Sequence, residues 1–465
     1  MSKNDEVALE IEGQHNSIKL LKWDKEKGLR NPRLGAQWFH HAGLGLFLHW
    51  GISAVSGEFD LSWGMVTGWE LAKKEVSPAE IEEMNRKKCY CSQGAEVTPN
   101  EYFKLAKDFN PDKYNPDEWI RLAKLAGFTY AVLTTKHHDG FALWNSNYGD
   151  FSTKNYLGGR DLVREYVDAC HKYDMRVGFY YSPPDWYFNK DYMSYMIFTA
   201  RRKNPGLPEL DGNYNPMTMP SEEVMTAQNK RYGAYVKGQL DELLTNYGKI
   251  DLIWFDGSMP HGEVYPMERI RKLQPDIVVN PRMHGDGDFE TCEVKETDSK
   301  PNGWWEFCTQ WQEKGWAYLK GVNYRPIGKI TTEFAKVLAW GGNYLLNIGP
   351  MADGSLPPQA INALAEFTEW SNYNRAAIEG VVPIDDSEFC SVPATTKENI
   401  RYLYLLPVED QKSVVFKTQK KVMKASMLDD ASVVTYDEKN GDIYYNAPLV
   451  KLESAVRIIC VEMDD

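Results

Sequence analysis

Residues 250–257, IDLIWFDG, run from a short apolar stretch into the carboxylate of Asp256, with Trp254 beside it and a glycine after it. A strand this apolar is buried on both faces, as in a parallel sheet. A carboxylate at its end is misplaced for packing, because an unpaired Asp is rarely buried, but well placed for chemistry. Further apolar runs end in the same manner. Residues 43–51 end in His49-Trp50, and residues 130–140 end in His137-His138-Asp139. Residues 176–182 carry Tyr180 and Tyr181 and lead to Asp185-Trp186. Residues 277–282 end in Arg282, and residues 289–293 end in Glu293.

If these ends converge, histidines, aromatic rings, an arginine and two carboxylates line one pocket. That content suits cleavage of a glycosidic bond, which needs one carboxyl group as nucleophile or base and another to protonate the leaving oxygen, roughly 5–5.5 Å apart in retaining enzymes. Asp256 and Glu293 lie on different strand ends, so they can face each other across a sugar. Burial against apolar rings would raise the acid's pKa as its role requires.

The intervening segments must position these groups. Residues 116–126 place Trp119, Leu122 and Leu125 at helical spacing, with Asn115 as N-cap, and residues 161–173 and 222–247 are also helical in pattern. Strands alternating with helices mean a parallel α/β sheet, and more than six such units favour a closed barrel, where catalytic groups sit at the C-terminal ends of the strands. Another apolar run, residues 343–350, belongs to the same series, and Gly349-Pro350 with Asp353-Gly354 reads as a barrel-closing turn. Residues 201–222, with four prolines and two glycines, read as a long loop over one barrel face. After residue 380 the pattern changes to short strands, at 400–405, 413–416, 432–436, 443–445 and 455–461, separated by turn residues. The expected architecture is a (β/α)₈-like barrel over residues 1–380 followed by a small β-sandwich over residues 381–465.

Composition narrows the function classes. The 15 Trp and 27 Tyr suit stacking on sugar rings, and equally the filling of a large core. A net charge of −13 argues against binding a nucleic-acid backbone or an anionic membrane. No apolar run is long enough for a membrane span. The seven cysteines are scattered and odd in number, which is no disulfide framework, and Cys89-Tyr90-Cys91 lacks the second pair a zinc site needs. The polar N-terminus is no signal peptide. A trimmed leader would point to a periplasmic or secreted protein, and its absence to a cytoplasmic one.

The motifs taken together resemble the α-L-fucosidases of glycoside hydrolase family 29, from about residue 38 to residue 357. The matching blocks are Gly45-Leu46-Phe47-Leu48-His49-Trp50-Gly51, Thr134-Thr135-Lys136-His137-His138-Asp139-Gly140-Phe141, Tyr180-Tyr181-Ser182, Trp254-Phe255-Asp256-Gly257, and Gly341 to Pro350. The resemblance implies the same barrel and β-sandwich, a retaining mechanism with Asp256 as nucleophile, and a fucose pocket using His49, His137, His138, Tyr180, Trp254 and Arg282. Trp63, in Leu61-Ser62-Trp63-Gly64, is the nearest match to a further pocket tryptophan. The segment from Asp288 to Glu293 resembles one ending in the family's acid/base, which favours Glu293 over Glu290, Glu296 and Glu306. Glu306 falls in a Trp-Glu block read as supporting structure. The expected partner is a fucosylated glycan, with no metal or organic cofactor. Linkage preference, which the long loops at 55–100 and 185–222 would set, and oligomeric state stay open.

Other uses of the same residues remain at this point. His137 and His138, as neighbours on a strand, would face opposite ways unless the strand has ended, so one of them can be structural. With His49 they could also supply three metal ligands. Tyr180 is taken as the pocket residue and Tyr181 as packing. Arg282 can pair with Asp256, which would help keep the nucleophile ionised. A non-catalytic glycan-binding barrel and a hydrolase of a related glycoside are the alternatives in function.

Overall fold

Strand periodicity sorts the apolar residues of the N-terminal part into two cores, one inside a curled sheet and one outside it. The computed structural model describes residues 28–87, 90, 97–258, 265–294, 299–407, 413–439 and 441–464. Eight strands form one parallel sheet: β1 Leu44–Leu48, β2 Tyr130–Lys136, β3 Arg176–Tyr181, β4 Leu252–Phe255, β5 Val278–Val279, β6 Glu290–Glu293, β7 Trp305–Gln310 and β8 Asn343–Ile348. Their spatial order is β5, β4, β3, β2, β1, β8, β7, β6. The end strands β5 and β6 form no ladder with each other among the described residues, so the (β/α)₈-like barrel keeps one seam.

Side chains alternate across each strand. Phe47, Tyr130, Val132, Tyr180, Leu252, Trp254, Val278, Cys308 and Leu345 point into the barrel, where Ala36 and Phe39 of the 3₁₀ helix Leu34–His41 join them. Leu46, Leu133, Phe179, Tyr181, Ile253 and Phe255 point out to the larger core shared with the helices. A Cβ at Gly45 would lie 2.1 Å from the Tyr130 ring, so glycine there is what lets that ring fill the barrel.

The main helices are α1 Pro116–Leu125, α2 Leu162–Lys172, α3 Glu222–Thr245, α4 Met267–Leu273, α5 Ile327–Ala339 and α6 Pro358–Tyr373. Side chains cap two of them: Asp161 accepts from the Arg164 N–H and Ser221 from the Val224 N–H. Asn115 stands at the N-cap position of α1 without a side-chain cap bond. Pro116 at the first position, with Asp117 and Glu118 in the first turn, opens that helix instead. The buried face of α1 is Trp119, Ile120 and Ala123, while Leu125 is 50% exposed.

The loop at 201–222 holds a two-strand hairpin, Glu209–Leu210 with Pro216–Met217. Beyond α6 the strands are antiparallel. One sheet orders Val382–Pro383, Ala394–Lys397, Ile400–Leu405, Arg457–Met463 and Val422–Met427, and the other orders Phe389–Cys390, Val414–Lys417, Asp442–Tyr445 and Tyr436–Lys439. Leu403, Leu405, Ile459 and Val461 from the first sheet share a core with Val414, Phe416, Ile443 and Tyr445 from the second. The strand expected at 432–436 begins only at Tyr436. No helix among the described residues is long and apolar enough to cross a membrane. The described cysteines, Cys170, Cys292, Cys308, Cys390 and Cys460, are free thiols, and Cys89 and Cys91 lie outside the described residues.

Candidate active site

Period-two alternation in β4 puts Leu252, Trp254 and the following Asp256 on the inner face. Gly257, at φ 86°, turns the chain away immediately afterwards, a conformation suited to glycine. Asp256 is 7% exposed and is held on several sides. Tyr180 donates its hydroxyl to Oδ2 over 2.8 Å, Arg282 Nη1 donates to Oδ1 over 2.7 Å, and His138 Nε2 lies 3.4 Å from Oδ2. The other guanidinium nitrogen of Arg282, Nη2, donates to Glu293 at the end of β6. One cation therefore spans both carboxylates, and its Cζ lies over the Trp254 ring, 4.6 Å from the centroid. Burial opposes the guanidinium charge, and Glu293 and Asp256 outweigh it, holding the Arg282 pKa above its ordinary value.

β2 ends at Lys136, so His137 and His138 stand where the strand has stopped and both rings turn toward the mouth. His137 stacks on Tyr180 at 5.5 Å and 4°, while its Nδ1 lies 2.7 Å from Ser62 Oγ. His138 Nδ1 lies 2.5 Å from Ser182 Oγ, and its ring packs between Trp63 and Trp186. His49, just after β1, sets its Nδ1 2.7 Å from Asn347 Oδ1. Burial pushes the His49 imidazole down to about 4, although the Asn347 bond and the Asp256 charge pull the other way.

Some of these groups, with others, line a cavity of about 260 Å³, room for one sugar ring. Phe47, Tyr180 and Trp254, which also pack inside the barrel, form its floor, and His49, Leu61, Trp63, Trp69, His137, Asp256, Trp316 and Glu293 complete the lining; Arg282 and His138 are not part of that lining and meet it through Asp256. Phe47, Leu61, Trp69 and Trp316 were not singled out from the sequence. Phe47 had a signal, since it stands two residues before His49 on one strand face. The other three lie off the barrel strands, and only tertiary contacts bring them in. The Trp316 and Ala317 N–H groups both donate to Asp60 in the loop after β1, at 2.7 and 2.9 Å.

The candidate glutamates separate clearly. Glu293 lines the cavity, with its side chain 34% exposed and paired to Arg282. The apolar burial expected around the acid is therefore not found there. It is found at Glu306, which is fully buried inside the barrel on β7, a strand that the sequence patterns missed. Glu306 accepts the Tyr130 hydroxyl at 2.6 Å and the Trp254 indole N–H at 3.1 Å. Burial pushes its carboxyl up to about 7 against those bonds. It lies beneath the floor and does not line the cavity. Glu290 opens β6 and does not line it either, and Glu296 is outside the described residues.

A grouping of metal-ligating atoms also occurs here. His137, His138 and Asp256 offer ligand-type atoms within 4.8 Å of one another. His49, which the sequence added to the two histidines, is not in that group. Behind the pocket wall Lys136 and Asp185 form a pair at 2.9 Å with their side chains 0% and 1% exposed. Asp185 also accepts the Tyr235 hydroxyl.

A barrel whose strand ends bring an acid pair, hydrogen-bonding imidazoles and aromatic walls around one sugar-sized cavity defines a glycoside hydrolase. The α-L-fucosidase family profile matches residues 14–376, and the chain belongs to that family. A bovine (Bos taurus) tissue α-L-fucosidase is 29% identical over 390 residues, which cover 79% of this chain and 74% of that protein. The structure of α-L-fucosidase isoenzyme 1 from Paenibacillus thiaminolyticus superposes with a TM-score of 0.72 at 27% identity, covering 93% of this chain and 99% of that one. An α-L-fucosidase from Bacteroides thetaiotaomicron, solved as a trapped covalent intermediate, shares the fold with a TM-score of 0.72 at 22% identity, covering 96% of this chain and 99% of that one.

Proposed function

We propose that this protein is a retaining exo-α-L-fucosidase that removes terminal α-L-fucose from glycans, with its hydrolytic barrel in residues 1–380 and its β-sandwich in residues 381–465. The observation that carries the reading is Arg282 gripping Asp256 and Glu293 at once beside a one-sugar cavity. A single guanidinium spanning both groups supports the short spacing of a retaining pair, roughly 5–5.5 Å, over the roughly 6.5–9.5 Å of an inverting one. The covalent intermediate trapped in the Bacteroides thetaiotaomicron enzyme is in keeping with this.

In the first step an oxygen of Asp256 forms a bond to the anomeric carbon while the bond to the leaving oxygen breaks, and Glu293 supplies the proton that leaving oxygen takes up. In the second step Glu293 removes a proton from water, whose oxygen displaces Asp256. Glu293 sits at the rim, where it meets solvent and the departing sugar. Tyr180 and His138 hold the Asp256 carboxylate in line. His49 and His137 meet sugar hydroxyls, and Phe47, Trp63, Trp254 and Trp316 offer apolar surface to the C5 methyl group.

The test is Asp256→Gly with an aryl α-L-fucoside. Turnover should fall by about 10³-fold or more, with the circular-dichroism spectrum unchanged. Wild-type-like turnover in that variant would remove Asp256 from the mechanism, and inactivity of the wild type on every fucoside would leave the glycan-binding alternative.

A further inference from the structure

Asn347 lies on β8, fully buried, with no direct place in the pocket lining. Its amide joins two residues that do line the pocket. Nδ2 donates to the Trp316 carbonyl oxygen over 2.7 Å, and Oδ1 lies 2.7 Å from His49 Nδ1. A backbone carbonyl can only accept, so the amide group facing Trp316 must be the NH₂. The oxygen then faces His49, and the His49 nitrogen opposite it must carry a proton. This holds whichever way the amide is drawn, because the Trp316 carbonyl decides it.

The consequence falls on the other side of the ring. A neutral imidazole with its proton on Nδ1 has a lone pair on Nε2. His49 is neutral at ordinary pH, since burial pushes it down to about 4. Its ring is enclosed by Phe47, Tyr180, Trp316 and His137, and the titratable groups acting on it are Asp256, which favours its charge, and His138, which opposes it. Asp256 already accepts from Tyr180 and Arg282, and among the described residues the side-chain hydrogen bond of the His49 ring runs through Nδ1 to Asn347.

We propose that Asn347 is a positioning residue that locks His49 in the Nδ1–H tautomer, so that Nε2 accepts a hydrogen bond from a substrate hydroxyl, and that it ties this ring to the Trp316 wall. The inference rests on the fucoside-hydrolase reading for the identity of the hydroxyl, but the tautomer itself can be measured without substrate.

The full chain is labelled with ¹⁵N-histidine and its ring nitrogens are read by long-range proton–nitrogen correlation near pH 7. His49→Gln identifies the His49 signals. The expected result is a protonated Nδ1 and an unprotonated Nε2, and a proton on Nε2 overturns the proposal. Asn347→Asp supplies the kinetic arm. A carboxylate accepts from His49 but cannot donate to the Trp316 carbonyl, and its charge lets His49 take a second proton in the mildly acidic range. Nε2 then becomes a donor. KM for an aryl fucoside should rise about 10-fold or more toward pH 5, with kcat changed less than about 3-fold. Equal loss of kcat and KM effects at every pH from about 5 to 8 would mean that Asn347 is only structural, and would also overturn the proposal. If Asn347→Asp does not fold, the wild-type spectrum still decides the question. A wild type that turns over no fucoside, yet shows the expected tautomer, would overturn the substrate reading alone.

Discussion

Trp254 hangs from Glu306: its indole N–H donates to Oε1 over 3.1 Å, from the floor of the pocket down into the barrel. Tyr130 donates to Oε2 of the same carboxyl group. The ring that carries Arg282 on its face and stacks on Tyr180 at 5.6 Å is thereby oriented from below. A carboxyl group in so dry a place makes stability depend on pH. Below its unfolded value of 4.5 it is protonated in both states. As pH rises toward about 7 the unfolded chain releases the proton while the folded chain keeps it, so stability is lost over that window. At about 1.36 kcal/mol per pKa unit the loss is about 3 kcal/mol. Glu306→Gln keeps a partner for Trp254 and should flatten the slope. Urea midpoints measured on either side of this window decide it, and a wild-type slope equal to that of the variant would refute the role given to Glu306.

Glu293→Ala should lower turnover of fucosides with poor leaving groups by about 10²–10⁴-fold and spare activated aryl fucosides more. Azide should restore turnover of the activated substrate, because a small anion can enter the space at the rim and attack the fucosyl-enzyme. Rescue of Glu306→Ala or Glu290→Ala in its place would move the acid/base role to that residue.

Arg282→Lys tests whether spanning both carboxylates matters. An ammonium is a point charge and cannot reproduce the planar two-sided grip. kcat/KM should fall about 100-fold, in the range for losing one preorganised donor, with little change in melting temperature. A fall smaller than about 3-fold would show that either cation suffices.

Lys136→Met leaves Asp185 as a buried charge without its cation. The expected destabilisation is about 3–5 kcal/mol, and Lys136→Met combined with Asp185→Asn should recover much of it. Chemical denaturation of both variants and the wild type tests this, and additive losses in the double variant would contradict the pairing.

Much of the site was legible because barrel strands write their inner face with period two and end at the mouth. Asp256 and Trp254 share a face with Leu252, and His49 follows a strand whose apolar run is unmistakable. β7 was not legible, because Trp305-Glu306-Phe307-Cys308-Thr309-Gln310 mixes a charged and two polar residues into a strand. Glu306 is satisfied by partners distant in sequence, Tyr130 and Trp254. β5 was read too long for the opposite reason: after Val279, Asn280 leaves the ladder to bond the Phe255 backbone in both directions. Trp69 and Trp316 carry no signal in the sequence because they lie off the barrel strands, and Trp316 is placed by the bonds to Asp60. For Glu293 the position was readable but its surroundings were not, since exposure and the grip of Arg282 depend on how β5 and β6 meet.

That meeting has a mechanical meaning. Arg282 follows β5 and Glu293 ends β6, the two edges of the sheet that do not pair with each other among the described residues. The ion pair between them therefore works as a latch across a slit, joining margins that backbone hydrogen bonds leave apart. Asp256, which follows β4 beside one of these margins, is held by the same guanidinium.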